Sequence, residues 1–470
     1  MAAPFRKILI ANRGEIARRV ARTCRRLGIA TVAVYSEADA SLPHVTEADE
    51  AFCIGGPAPK DSYLRIDALT DVMRRTGAEA VHPGYGFLSE SPAFARAVAE
   101  AGAVFVGPTP GMLETFGDKL AARRVALLAG VSPVPGVESP LEVGTPEGRA
   151  RAQEAAARVG FPILVKAVGG GGGIGMQHVR VPEALERALE GCASRAARAF
   201  ADARVYLERY VEEPRHIEVQ IFGDTHGQLF ALGERECSLQ RRHQKLVEES
   251  PSPFFIGPEG EARRAKLLEA ALRLGRAVGY VGAGTCEFLA DADGEFYFLE
   301  VNARLQVEHP VTELVTGLDL VEWQLRVAAG ESLPDWSALP RRGHAIEARL
   351  YAEDPAKGFV PRPGALDRLR WCGGDGEPQS QELRVEAGVV AGNVMTPYYD
   401  PLIAKLVAWG ESREAAIARL AEALRTTEVA PCVTNGAFLQ ALVTGDDFVA
   451  GRCHTGFAES FAKRWAAEIR

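Results

Sequence analysis

Three regimes of apolar and polar positions follow one another along the chain. From Lys7 to about residue 115, short apolar runs (Lys7–Ala11, Ala30–Tyr35, Ala80–Val81, Val104–Val106) alternate with amphipathic segments of helical period (Gly14–Leu27, Ile66–Arg75, Pro92–Glu100). Such alternation implies a parallel sheet. The middle of the chain is richer in strands: Phe161–Val168, Gln177–Val181, Val205–Tyr210 and Arg215–Phe222, with helices at Leu120–Ala129 and Pro146–Val159. In Arg215–Phe222, Ile217, Val219 and Ile221 share one face. Past Pro310 the pattern predicts one helix as far as Ala329. His344–Tyr351 sets Ile346, Ala348 and Leu350 against Glu347, Arg349 and Tyr351, the pattern of a half-buried strand. A strand at Leu402–Trp409 and a helix at Arg413–Arg425 follow. The prolines at 133, 135 and 140, and again at 334 and 340, read as boundaries.

The densest chemistry lies in Thr285–Pro310. Thr285–Ala290 and Glu295–Val301 read as two apolar strands, and Asp293-Gly294 between them predicts a two-residue type I′ turn. Counting outward from that turn sets Glu287 opposite Glu300. Like charges directly opposed in a hairpin are destabilising. A divalent cation removes the objection, because hard cations take carboxylate oxygens. Asn302 points to the same face and supplies a further oxygen. Arg304, Gln306, Glu308 and His309 follow just past the strand end, where active-site groups tend to sit.

Composition narrows the alternatives. A chain of 470 residues is too long for one core and implies two to four domains. The net charge of -8 is spread along it, so neither nucleic acid nor a membrane is the expected bulk partner. The eight cysteines are scattered with no C-x-x-C pair, so neither a zinc site nor a disulfide framework is indicated. The first apolar run is too short for a signal peptide, and none approaches the roughly 20 residues of a membrane span. A cytoplasmic protein is expected.

Two loops and one basic run add to the hairpin. The strand ending at Val168 leads into Gly169–Gly173, Ile174 and Gly175, and a second strand follows directly. The glycines therefore fall at a hairpin tip, a flap that can wrap a phosphate with its N–H groups. No Lys-Ser/Thr follows them, so this is not a Walker A loop, and the first βα turn lacks the dinucleotide fingerprint. Lys166 at the loop edge is a phosphate contact. His82–Glu90 (HPGYGFLSE) reads equally as a plain turn or as the lining of a cleft. Gln240–Lys245 (QRRHQK) is a basic run suited to an anion beside a metal. Arg209–Val211 reads as a hinge that exposes backbone groups to a base. Carboxylates for metal, a glycine flap, and Lys119 and Lys166 describe Mg-nucleotide binding and phosphoryl transfer. Arg304, Gln306 and Lys245 supply donors for a small planar anion, and Glu308 is left over as general base. Taken alone, the residues define an ATP-dependent ligase acting on a carboxylate-like anion.

These motifs occur together in one family. ILIANRGEIA, HPGYGFLSE, ETFGDK, KAVGGGGGIGM, EPRHIEVQ, ERECSLQRRHQK, GTCEFL, FYFLEVNARLQVEHPVTE and RGHAIEARLYAEDP resemble, in order, the biotin carboxylases, the ATP-grasp component of acetyl- and other acyl-CoA carboxylases. The resemblance covers essentially the whole chain. It implies an α/β and α+β architecture: a Rossmann-like parallel sheet over 1–115, an ATP-grasp domain over 116–332 with a mobile glycine-rich lid at about 133–206, and a C-terminal α+β cap over 333–470. It also implies ATP-dependent formation of carboxyphosphate from bicarbonate, followed by carboxylation of biotin. Matched by motif, Lys119, Lys166, Gly172, Gly173, Glu208, Arg209, Tyr210, Val211, His216, Gln240 and His243 hold ATP. Glu287, Glu300 and Asn302 bind two Mg²⁺ or Mn²⁺ ions, the two glutamates meeting ATP through them. Lys245, Arg304, Gln306 and the Val307 backbone hold bicarbonate. Glu308 deprotonates it, and Arg349 stabilises the biotin enolate; Glu308, Arg304, Arg349 and Lys245 are the catalytic set.

The sequence departs from the family pattern at Ile174, where a cation is usual, at Arg209 in place of a frequent lysine, and at Ala303. No Met-Lys-Met biotin-attachment motif is present, so biotin is expected on a separate carrier protein, with carboxyltransferase subunits as further partners and a homodimer as the usual assembly. Two other readings share parts of the pattern. Another ATP-grasp carboxylate ligase would need the metal hairpin and flap but not bicarbonate and biotin together. A catalytically silent nucleotide-binding subunit is favoured only by Ile174.

Overall fold

The computed structural model describes residues 3–168, 176–200, 202–372, 374 and 376–468. The N-terminal unit is a five-stranded, all-parallel sheet of β1 (Lys7–Ile10), β2 (Ala30–Tyr35), β3 (Glu50–Cys53), β4 (Ala80–His82) and β5 (Val104–Phe105) in the order β3-β2-β1-β4-β5. β3 is a four-residue edge strand, and the sequence reading missed it. Helix α1 (Gly14–Leu27) packs Ile16, Val20 and Cys24 into the core beneath β1. The strand order reverses between β1 and β4, the place where open parallel sheets form a ligand crevice. Asn12 at the end of β1 donates through Nδ2 to the carbonyls of Pro83 and Tyr85, 2.8 Å each, which clamps the HPGYGFLSE loop at the crevice mouth. Gly84 has φ +63, and a Cβ there would come within 2.8 Å of that Asn12 amide, so glycine is required.

α2 (Lys119–Leu128) opens the second unit, capped by Asp118 accepting from the Leu120 and Ala121 amides. α3 (Pro146–Val159), β6 (Ile163–Ala167), β7 (Gln177–Val179), α4 (Leu185–Phe200) and β8 (Val205–Arg209) build a small lid sheet ordered β7-β6-β8. β6 and β7 pair antiparallel, so the hairpin reading holds where it is described. The glycine tip with Gly172, Gly173 and Ile174 lies outside the described residues.

The rest is organised by one eight-stranded sheet. Its strands are β9 (Arg215–Gly223), β10 (Leu229–Arg241), β11 (Gln244–Ser250), β12 (Gly282–Ala290), β13 (Phe296–Asn302), β14 (His344–Tyr351), β15 (Leu383–Ala387) and β16 (Leu402–Gly410), ordered β13-β12-β9-β10-β11-β14-β16-β15. α5 (Gly257–Val278) covers one face through Leu267, Ala271 and Leu274 against Ile217, Val219, Ile221 and Phe288. Side chains alternate along a strand, so His216, Glu218 and Gln220 are driven to the other face. Phe288 is fully buried, with edge-to-face contacts to Phe296 and Phe298 at 5.9 and 6.1 Å. Phe288→Ala should cost about 3–5 kcal/mol of stability, read as a lower denaturant midpoint with an unchanged slope.

Three expectations need correction. The turn at Asp291–Glu295 is not type I′: only Gly294 has positive φ, at +83. Asp291 Oδ1 accepts from the Asp293 and Glu295 amides and draws the chain into a longer loop. Pairing near the turn therefore sets Ala290 against Phe296, one residue off the counted register. A bulge between Phe288↔Phe298 and Glu287↔Glu300 restores it, so the two glutamates do face one another. The helix after Pro310 is two helices, α6 (His309–Thr316) and α7 (Leu320–Ala328). Gly317 at φ +74 ends the first, and the Asp319 carboxylate caps the second by accepting from the Glu322 amide. β14 is buried on both faces, not one. α8 (Arg413–Thr426) covers Ile346, Ala348 and Leu350, while α6 covers the face of Ala345, Glu347 and Arg349. Polar residues there mark an interior site rather than solvent.

Candidate active site

The polar face of the large sheet carries a row across four strands. Register pairs Arg235 on β10 with Glu218 on β9, Glu218 with Glu287 on β12, and Glu287 with Glu300 on β13. Three carboxylates side by side in a buried sheet need cations. Arg235, fully buried, supplies one: Nε donates to Glu218, Nη1 to Gln220 and Thr312, and Nη2 to Thr285. Lys245 supplies the other. Its Nζ donates to Glu218 and Glu308 at 2.5 Å and to Glu287 at 3.0 Å. Burial works against that ammonium, yet the surrounding carboxylates hold its pKa well above the usual lysine range.

A cavity of about 1210 Å³ opens over this row, between the N-terminal sheet, the lid and the large sheet. Lys119, Lys166, Glu208, Arg209, Tyr210, Val211, His216, Gln240, His243, Lys245, Glu287, Glu300, Asn302, Arg304, Gln306, Val307 and Arg349 all line it, as do Tyr85, Phe87 and Glu90 of the HPGYGFLSE loop. Seventeen positions dispersed over 230 residues of sequence thus meet at one space. Glu308 does not line it. It is fully buried just beneath, at the N-terminal end of α6, where Lys245 and Arg349 (Nη2, 2.9 Å) hold its two oxygens. Burial alone would raise the Glu308 carboxyl, but Lys245, Arg349 and Arg235 outweigh it and hold it well below the usual range.

The turn that presents the basic run is strained. Arg241 pairs with Gln244, and Arg242 and His243 between them have φ +49 and +67. Two consecutive non-glycine residues in that region make a type I′ turn that side chains disfavour. It carries His243 and Gln244 to the cavity mouth. Within the lid, Glu208 binds Lys166 and lies 3.4 Å from Arg123, which holds the lysine at the cavity wall.

The donor set fits a divalent cation. Glu287 and Glu300 face each other on the cavity wall, and Lys119 Nζ stands 3.7 Å from Glu300. His216 Nε2 is 3.1 Å from Glu287, and that carboxylate raises the imidazole pKa despite the lowering effect of burial. Asn302 donates to Glu287 through Nδ2 (2.8 Å) and accepts from Arg304 through Oδ1 (2.9 Å), so in this arrangement it links carboxylate to guanidinium. Beside the carboxylates, Gln306 Nε2 and Arg349 Nε are buried donors with no partner among the described residues. Two unsatisfied donors next to Lys245 and Arg304 describe an anion site.

Sequence reasoning missed Glu218, Arg235 and Glu90. Glu218 lay in plain view: the alternation that put Ile217 and Val219 on the core face put Glu218 and Gln220 on the other. Arg235 falls in β10, whose interrupted apolar pattern was not read as a strand. Glu90 accepts from Arg304 Nε (3.0 Å) and the Ala303 amide (3.2 Å), a contact across 213 residues that no local signal announces.

Comparison with known proteins agrees with this geometry. Residues 4–113 match the family model for the biotin carboxylase N-terminal domain, 118–336 the carbamoyl-phosphate synthase L chain ATP binding domain, and 347–460 the biotin carboxylase C-terminal domain. A biotin carboxylase from Halalkalibacterium halodurans is 47% identical over 460 residues, 98% of each chain. The chain belongs to the biotin carboxylase family. The mitochondrial methylcrotonoyl-CoA carboxylase subunit alpha of Oryza sativa subsp. japonica is 48% identical over 457 residues, 97% of this chain but 60% of that one. The family's carboxylase unit thus also occurs inside longer polypeptides. Among solved structures, the biotin carboxylase domain dimer of Hydrogenobacter thermophilus 2-oxoglutarate carboxylase, in complex with MgADP, ADP and bicarbonate, superposes with TM-score 0.91. The match has 43% identity and covers 97% of both chains. A biotin carboxylase–βγ-ATP complex from Campylobacter jejuni also gives TM-score 0.91, with 39% identity over 97% of this chain and 99% of that one. No helix among the described residues is long and apolar enough to cross a membrane.

Proposed function

We propose that this chain is the biotin carboxylase of an acyl-CoA carboxylase. It uses ATP to activate bicarbonate as carboxyphosphate and transfers the carboxyl group to biotin held on a carrier protein. The observation that carries this reading is the single Lys245 ammonium bonded at once to Glu287 of the metal-type pair and to Glu308, with the unsatisfied donors of Gln306 and Arg349 alongside.

Lys119, Lys166, His216, Gln240 and His243 take the phosphates and ribose side of ATP, and Glu208–Val211 the base. Glu287 and Glu300, with Asn302, hold Mg²⁺ or Mn²⁺, which neutralises phosphate charge as the γ-phosphoryl moves. Lys245, Arg304, Gln306 and Val307 hold bicarbonate. Its arrival draws the Lys245 ammonium off Glu308, whose basicity rises as that cation is shared, and Glu308 accepts the bicarbonate proton. Arg349 is then released from Glu308 to face the biotin ureido oxygen as negative charge develops there. The domain limits proposed with this assignment are 1–115, 116–332 with the lid at about 133–206, and 333–470.

The finer partners are proposals as well: a separate biotin carrier, carboxyltransferase subunits, a homodimer and a cytoplasmic setting. The acyl acceptor is not set by this site, since relatives of near-equal identity are named for methylcrotonoyl-CoA, propionyl-CoA and pyruvate carboxylases as well as biotin carboxylase. Acetyl-CoA, and with it fatty acid synthesis, is the acceptor we propose to test first. The decisive assay is ATP hydrolysis by the purified chain with Mg²⁺ and bicarbonate, with and without free biotin. Bicarbonate-dependent, biotin-stimulated release of phosphate is the expected result. Binding of ATP without turnover under any of these conditions would replace this reading with that of a silent nucleotide-binding subunit.

A further inference from the structure

Behind Arg349 lies a pair of acids that the reaction above does not use. Register places Glu248 on β11 directly opposite Glu347 on β14, so both project from the same sheet face beneath α6. Both are fully buried. Apart from the Arg349 contact on Glu248 Oε1, none of their oxygens has a hydrogen-bond partner among the described residues. The one ionic contact is Arg349 Nη2 against Glu248, and Arg349 is shared with Glu308. The other charges facing the pair are already engaged: Lys405 donates to the Val307 carbonyl (2.7 Å) and lies 3.2 Å from Glu15, and Lys245 serves Glu218, Glu287 and Glu308. Two buried carboxylates on directly opposed residues, with one shared cation beside them, cannot both be ionised without a large cost. A proton between them supplies the missing donor and gives one oxygen of each a partner.

We propose that Glu248 and Glu347 share one proton, and that the resulting singly charged pair positions Arg349 for biotin when Glu308 becomes protonated. The inference rests on the function proposed above. In the resting site Glu308 and Glu248 both hold Arg349. Once Glu308 accepts the bicarbonate proton its claim on the guanidinium ends, and Glu248 is the remaining anchor. A neutral partner at Glu347 keeps that anchor from being repelled out of place. Burial pushes Glu248 up to about 7 against the pull of Arg349, and pushes Glu347 well above the usual carboxylate range. Raised values favour the protonated form, so stability from the shared proton is full below the unfolded carboxylate range and is lost as pH rises through the folded value.

Two measurements test this. In the infrared spectrum, the wild-type chain near neutral pH should show a buried protonated-carboxyl stretch that disappears in Glu347→Gln. Identical spectra for the two would overturn the shared proton whatever the activity. In kinetics, Glu248→Gln should reduce biotin carboxylation by about 10²-fold and lower the ratio of biotin-stimulated to biotin-independent ATP hydrolysis. An undiminished ratio would overturn the positioning role. Wild-type chain that hydrolyses no ATP with bicarbonate and biotin would fault the proposed function instead, and the infrared result would stand apart from it. If Glu248→Gln fails to fold, the slope of wild-type stability against pH, falling as pH rises past neutrality and flattened in Glu347→Gln, decides the shared proton alone.

Discussion

Glu308→Gln is expected to lower bicarbonate-dependent ATP turnover by about 10²–10⁴-fold, the range for removing a positioned general base. The substitution keeps size and hydrogen-bonding reach, so the cavity above it should survive. What goes is the one carboxylate among the described residues that touches both Lys245 and Arg349. ATP affinity should change little, because Glu308 does not line the cavity that the phosphates enter. The check is a full titration of ATP with saturating bicarbonate, with and without biotin, beside direct binding of nucleotide. A variant that retains turnover while losing nucleotide affinity would remove Glu308 from its assigned role. The acid limb of the wild-type rate profile should not come from Glu308, since its carboxyl is held below the ordinary range and stays ionised in mild acid.

Lys245→Gln should be costly in two ways. The ammonium is nearly buried and is bonded to Glu218, Glu287 and Glu308 together. Removing one partner of a buried ion cluster leaves uncompensated charge, worth about 3–5 kcal/mol of stability. The sign with pH follows. With Lys245 present, Glu287 and Glu308 have folded values below their unfolded ones, so they add stability that is present above the unfolded carboxylate range, near pH ~4.3, and lost as pH falls through the folded values. Without Lys245 those values rise, and the variant should be most destabilised at neutral pH and approach the wild type in acid. Turnover should fall about 10²–10³-fold, through bicarbonate more than through ATP. Denaturant unfolding at neutral and acid pH, with bicarbonate titrations, separates the two effects. A uniform loss of stability at every pH would mean that the lysine acts by packing and not by charge.

Four of the five strands of the N-terminal parallel sheet were legible because their signals are local: a short apolar run, a helical period, and a turn between them. The metal pair was legible for a different reason. Two opposed glutamates in an apolar hairpin contradict their own stability, and the contradiction points to a ligand. The route to it was wrong in detail, since the turn is wider than Asp293-Gly294 predicts and a bulge restores the register. The type I′ turn that does exist, at Arg242-His243, has neither Gly nor Asn to signal it. Local propensity fails there because the surrounding sheet and site, not the turn residues, hold the geometry.

By itself the sequence determined the elements with one clear period, the strand faces that must meet a core, and the family through nine collinear motifs. Tertiary structure decided what those motifs could not carry. β11 to β14 pairing makes one sheet of two segments nearly 100 residues apart, which turned an apparently half-buried strand into an interior wall and set Glu347 against Glu248. It placed Arg235 and Glu218 beside the metal pair, tied Arg304 to Glu90, and sank Glu308 below the cavity floor. The reason is physical. Periodicity reports which side of an element is buried, whereas the charge state of a buried acid depends on which cation the rest of the chain brings to it.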